Sequence, residues 1–181
     1  MTFSEALAMV RANASRGDGH VLRLHLAAGI TPNHLMTFVV AHAARRCPNR
    51  RVACSAGEYG DLVEAIAADE AEHAHAVLVV MEWSDLDPRL GLRRFATGTA
   101  GIGTDILETV TARLGMIAAA VMRRAADMPI VLSLPTLRLP PVFLTSSCQT
   151  GLLEIGLQRR VLEFAETCIS HGDVSIANEE R

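Results

Sequence analysis

The run Val77-Leu78-Val79-Val80-Met81 constrains the fold more than any other stretch of the chain. β-Branched and other apolar residues follow one another there without polar alternation, so a strand at this position carries apolar side chains on both faces. That pattern predicts the centre of a parallel sheet covered by helices on both sides, with Val77 to Val80 almost free of solvent.

The flanking segments alternate in the same sense. Residues 3–15 read as a leading helix stopped by Arg16-Gly17-Asp18-Gly19, and Val21 to Ala27 as the first strand. Thr31-Pro32-Asn33-His34 opens a helix to Arg46, with Thr31 as its cap and Leu35, Val39 and His42 on one face. Residues 51–55 form a second strand. After the Gly57 to Gly60 loop, Asp61 caps a helix with Leu62, Ile66 and Ala67 as apolar positions. A long loop, 82–103, leads to a helix over 104–126, a strand over 130–134, a proline-bounded stretch over 135–141, a helix over 151–170 and a last strand over 174–177. Five strands joined through helices predict one α/β domain over 1–181: a three-layer α/β/α sandwich around a five-stranded parallel sheet of order 2-1-3-4-5. Ligands of such sheets sit beyond the carboxyl ends of the strands, which nominates the loops after 27, 55, 81 and 134.

Composition narrows the chemistry. Half of the 181 residues are hydrophobic and the net charge is −3, a balance that argues against a nucleic-acid or anionic-membrane footprint. No apolar run is long enough for a bilayer span or a signal-peptide core, so the chain is expected to be cytoplasmic. All 17 basic residues are arginine. A P-loop lysine, a Schiff-base lysine and a Ser-Lys dyad are thereby excluded, since each needs an amine. Cys47, Cys54, Cys148 and Cys168 form no CxxC pair and read as reduced thiols of the core. The seven histidines contain no HExxH and no metal-ligand spacing. Nothing here calls for a cofactor.

Four segments carry candidate chemistry. The turn Ala27-Ala28-Gly29-Ile30-Thr31-Pro32-Asn33-His34 leaves backbone N–H groups free for an oxyanion or phosphate, or is an ordinary capped turn. Glu82-Trp83-Ser84-Asp85-Leu86-Asp87-Pro88-Arg89 gathers the only tryptophan, three acids and an arginine. Its acids either face a ligand or cap a turn and pair with Arg89, Arg93 or Arg94. Asp85-Leu86-Asp87 is a poor match to the DxD of aspartyl phosphatases, because it does not stand at the strand end and Pro-Arg follows it. The glycine-rich segment 98–104 lacks the strand and the lysine of a phosphate loop, and Thr145 to Thr150 reads as a helix cap.

Taken together, AAGITPNHL after the first strand, AGEYGDL after the second, VLVVMEWSDLDPRLG at the third and LPTLRLPPVFLTSSCQTG before the last helix resemble the SGNH-hydrolase-like N-terminal domain of FkbH-like proteins, biosynthetic proteins of the haloacid-dehalogenase type, subfamily IIIC. The resemblance spans nearly the whole chain and implies an SGNH-hydrolase or flavodoxin-like sheet. It also implies either a domain excised from, or a short relative of, a longer protein whose C-terminal part loads a glyceryl unit on a carrier protein for natural-product assembly. An SGNH enzyme carries a serine in the first turn, a glycine in the second loop, Gly-x-Asn in the third and a late Asp-x-x-His. Here Gly29 stands at the serine position with Thr31 as the nearest hydroxyl, Gly57 or Gly60 fits the second block, and Ser84 stands at the asparagine position. No late Asp-x-x-His exists, although Ser170-His171-Gly172-Asp173 stands nearby.

Two functions follow. As an esterase, thioesterase or acyltransferase, the chain would use Thr31 or Ser84 as hydroxyl, His34 or His171 as base, and N–H groups near Gly29 and Gly57 as oxyanion hole. As a degenerate binding module, it would hold a substrate or an acyl carrier protein for a C-terminal catalytic domain, in a pocket of Gly29, Gly57, Glu82, Asp85 and Arg89. Arg89, Arg93 and Arg94 would then meet the carrier's phosphate. The second is favoured, because a hydroxyl without a base in reach is inert.

Overall fold

The computed structural model of the protein describes residues 1–17, 20–57, 60–91, 102–135, 151–170 and 173–177. Its strands are β1 (Val21–Ala28), β2 (Arg51–Ala56), β3 (Ala76–Val80), β4 (Ile130–Ser133) and β5 (Val174–Ile176). Its helices are α1 (Phe3–Ala14), α2 (Asn33–Arg46), α3 (Leu62–Ala67), α4 (Asp69–Glu72), α5 (Trp83–Leu86), α6 (Ile102–Ala125) and α7 (Leu152–Ile169), with a 3-10 turn at Pro88–Leu90. Every strand pairing is parallel and the order is β2-β1-β3-β4-β5, as the alternation of elements predicts.

That order distributes the helices. The step from β1 to β2 runs one way across the sheet and the later steps run the other, so right-handed crossovers put α2 on one face and α3, α6 and α7 on the opposite one. The larger core lies under α6. Ile106, Val110, Leu114, Ile117 and Val121 recur at helical spacing and pack, with Leu157, Val161, Phe164 and Cys168 of α7, against Val77, Val79, Ile130 and Leu132. Each such side chain contributes about 1.5–3 kcal/mol by leaving water.

On the other face Val40 and Ala44 of α2 pack on Leu24 and Val52 in a smaller core. Here β3 departs from expectation: Val77 and Val79 are buried, but Leu78 and Val80 are only half-buried. Helices α1 and α2 pack together and on β2, away from the sheet's centre, so β3 is sealed on one face and partly covered on the other. Helix α2 also sits differently than its periodicity suggested. Its buried positions are Val40, Ala41 and Ala44, while His42 is exposed. Thr31 does not cap it, because Pro32 already adopts helical backbone angles and occupies the cap position; the Thr31 hydroxyl is one residue too early for the first free N–H groups. In α3 Ala65 rather than Ala67 is buried.

Two buried polar groups fasten the layers. Asn13 of α1 accepts from the N–H of Val52 and donates to its carbonyl, both at 2.8 Å, and so acts as a short strand along the open edge of β2. His25 is fully buried in β1. Its Nε2 lies 2.9 Å from the Ala65 carbonyl and its Nδ1 2.9 Å from Ser55 Oγ. A carbonyl only accepts, which assigns the proton to Nε2 and makes Ser55 the donor to Nδ1. Burial lowers the His25 pKa, against the smaller opposing effects of the Ala65 carbonyl and Glu70, so the ring stays neutral and pins α3 to the sheet.

Val79→Asp should place an unpaired carboxylate beneath α6, at a cost of several kcal/mol against a total stability of about 5–15 kcal/mol. Loss of the cooperative unfolding transition in circular dichroism is the expected result; a soluble variant with an unchanged melting curve would contradict this core.

Candidate functional site

Parallel pairing aligns Ala27 with Val79 and Ala28 with Val80, so the chain leaves β1 and β3 side by side. Gly29 and Ile30 follow β1, and Glu82 to Leu86 follow β3. Between these exits, the turn before α3 and the side of α6 lies a cavity of about 740 Å³, within the size range of small-molecule sites. Gly29 and Ile30 line it from β1, Gly60 from the second loop, and Ser84, Asp85, Leu86 and Pro88 from the third. Thr109, Ala112, Arg113 and Met116 line it from α6.

Asp85 organises the floor. Trp83 and Leu86 bury their side chains and set the short helix α5, and Asp85 Oδ2 accepts the Glu82 N–H at 2.8 Å to cap it. The carboxylate then rests on the bare Cα of Gly29. A Cβ built there would stand 1.8 Å from Asp85 Oδ1, which only glycine avoids. Burial raises the Asp85 pKa; the Glu82 N–H and Arg113 pull it down by less.

Arg113 joins three walls. Its Nε donates to the Asp85 carbonyl at 3.2 Å and its Nη2 to Asp61 Oδ1 at 2.9 Å. Asp61, as expected, caps α3 by accepting from Val63 and Glu64. Partial burial works to raise its pKa, but the bond from Arg113 and the two backbone N–H groups outweigh that and lower it. The pocket therefore holds a guanidinium tied to one carboxylate and leaning on the backbone of a second, with Ile30, Leu86, Pro88 and Met116 as apolar wall.

Of the residues nominated from the sequence, Gly29, Gly60, Ser84 and Asp85 come together in this cavity. Thr31 and His34 are exposed and do not line it; the His34 ring packs at a tilt of 54° against that of Phe3, their centres 4.9 Å apart. Glu82 serves the start of α5: its backbone N–H donates to Asp85 Oδ2 and its side chain accepts from the Asp85 N–H. Gly57 lets Ala65 approach, since a Cβ there would stand 2.5 Å from that of Ala65, and Gly60 lines the cavity in its place. Arg89 is engaged by the buried carboxylate of Asp87, by Asp105 and by Thr109, which locks the 3-10 turn to α6. Asp87 is thus a turn-former, whereas Asp85 both caps a turn and faces the cavity. The stretch read as one long loop contains α5 and the 3-10 turn because Asp85 and Asp87 cap them. Arg93, Arg94, His171, Cys148 and most of the glycine-rich segment, 98–101, lie outside the described residues.

The wall from α6 escaped the sequence reading. Its one signal was Arg113, three residues after Val110 and four before Ile117, at the margin of the helix's buried stripe. Among the described residues no three His, Cys, Asp or Glu side chains stand together as metal ligands, and no helix is long and apolar enough to cross a membrane. Burial pushes the Cys54 and Cys168 thiols up to about 11, far from reactive thiolates.

Gly29→Ala should displace the Asp85 carboxylate and break its bond to Glu82, costing about 1–3 kcal/mol in chemical denaturation; an unchanged midpoint would show that Asp85 moves freely. Asp85→Asn tests the raised pKa. Below the unfolded-state value both states hold the proton; as pH rises through the higher folded-state value, the unfolded state is favoured, so the carboxyl weakens the fold at neutral pH. The amide keeps the acceptor for Glu82 without the charge, and should raise the melting temperature at pH 7 more than at about pH 3.5, close to the unfolded-state value. Equal shifts at both pH values would contradict the assignment.

No family model and no curated protein matches the chain. Among solved structures, it is similar to the crystal structure of the N-terminal part of the protein BF1531 from Bacteroides fragilis, which contains a phosphatase domain complexed with Mg. The TM-score is 0.69 at 11% identity, over 99% of this chain and 45% of that one. At that identity the likeness is one of fold, and this chain spans less than half the length of its structural neighbour.

Proposed function

We propose that this chain is a degenerate SGNH-like domain of the kind that begins FkbH-like proteins, and that its cavity binds a substrate, or the arm of an acyl carrier protein, for glyceryl or acyl transfer by a partner domain. One observation carries the reading. The Asp85 carboxylate occupies the space where a side chain at residue 29 would stand, so the turn that bears the nucleophile in an SGNH hydrolase has no room for a serine. Among the described residues no histidine lines the cavity to serve as base. A nucleophile and its base act as a unit, and without both the triad's share of the rate is lost.

The remaining groups suit holding a ligand. Arg113, Ser84 and Thr109 offer polar contacts at one side, and Ile30, Leu86 and Met116 an apolar one, the mixture that an amide-bearing acyl or pantetheinyl chain requires. The solved structure of similar fold contains a phosphatase domain and this chain covers 45% of it, which leaves room for a further domain in a protein of that kind.

The purified chain should turn over short activated esters no faster than about 10⁻³ of the rate expected of a working triad. It should bind pantetheine saturably, as followed by the fluorescence of Trp83, with Arg113→Gln weakening the binding. Robust ester turnover abolished by Thr31→Ala or Ser84→Ala would replace this reading with that of an active esterase or acyltransferase.

A further inference from the structure

We propose that α7 is a self-association surface whose partner is a second copy of this chain, docked antiparallel with Leu162 on the two-fold axis. The face of α7 turned to the core carries Leu157, Val161, Phe164 and Cys168. The opposite face should be polar in a helix covered on one side only. Instead Ile155, Leu162 and Ile169 stand there, 51%, 61% and 49% exposed, and Leu152 at the start of the helix is 89% exposed. Among the described residues, half of the strongly exposed large apolar side chains thus belong to one helix. Scattered apolar residues on a surface need no explanation, but an aligned row does.

The spacing identifies the kind of partner. Ile155, Leu162 and Ile169 recur every seven residues, the period of a seam between two helices rather than of a helix lying on a sheet. The row is also symmetric about its middle. In an antiparallel pair centred on Leu162, Ile155 of one copy meets Ile169 of the other at both ends, and Leu162 meets itself.

The charges follow the same symmetry. Arg159 and Glu166 flank the row on one side and both are exposed. A two-fold axis through Leu162 brings Arg159 of each copy against Glu166 of the other, so both pairs are satisfied at once, as an isologous contact demands. In a parallel pair that flank would meet the opposite one, where Gln158 stands, and the charges would go unanswered. Arg159 at present bonds Glu163 of its own helix at 2.8 Å, an exposed pair of the kind that exchanges partners at little cost.

Sedimentation equilibrium on the intact chain, from low to high micromolar concentration, tests the proposal. A monomer–dimer equilibrium is expected, and Leu162→Asp, which sets two carboxylates face to face, should weaken it by about tenfold or more. Because Leu162 is exposed, the circular dichroism and melting curve of this variant should match the parent's at concentrations where both are monomers. Arg159→Glu and Glu166→Arg should each weaken the dimer, and the double variant should restore it to within about threefold of the parent. A monomer throughout the range, a dimer indifferent to Leu162→Asp, or a double variant weaker than both single ones would overturn the proposal. None of these outcomes bears on ligand binding in the cavity, which α7 does not line.

Discussion

Parallel pairing of β1 with β3 is the constraint on which the rest of the structure depends. Parallel strands point the same way, so their exits converge at one end of the sheet and every return must pass through a crossover. Gly29 and the Asp85 turn become neighbours for that reason, although 56 residues separate them in the chain. The same pairing places Val77 and Val79 beneath α6 and brings that helix's side to the mouth of the exits. Core and cavity are two ends of one packing arrangement, and a change in the register of β3 by a single residue would dismantle both.

Electrostatics then decides what the cavity can do. One guanidinium bonds the carboxylate of Asp61 and the backbone carbonyl of Asp85, so the two acids are treated differently. Asp61 receives the side-chain bond from Arg113 together with two backbone donors, and its charge is well compensated. Asp85 receives one backbone donor and lies deeper, so burial prevails and its proton is held more tightly. The contrast arises from environment alone, since the two side chains are chemically identical. It leaves a carboxyl group of raised pKa against the bare Cα of Gly29, on the floor of the cavity.

Much of the fold was legible in sequence because local patterns and topology agreed. The apolar run at β3, the glycine stop after α1, the Asp61 cap and the alternation of strand and helix all pointed to one parallel sheet, and right-handed crossovers left the observed order as the natural solution. Legibility failed where a residue's meaning depended on a distant partner. Leu78 and Val80 look like core residues, but their burial depends on where α1 and α2 come to rest. Arg89 looks like a phosphate ligand in a loop, yet Asp87 and Asp105 engage it first.

The sequence by itself determined the α/β class, the strand order, the absence of lysine chemistry and the end of the sheet at which the cavity lies, because these follow from periodicity, composition and chirality. Tertiary structure alone decided that Gly29 is a glycine to make room for Asp85, that Arg113 reaches Asp61 across 52 residues, and that Gly57 serves packing while Gly60 faces the cavity. The physical reason is range: a local pattern fixes which way a side chain points along its own element, whereas a clash, an ion pair or a buried charge exists only once two elements have met.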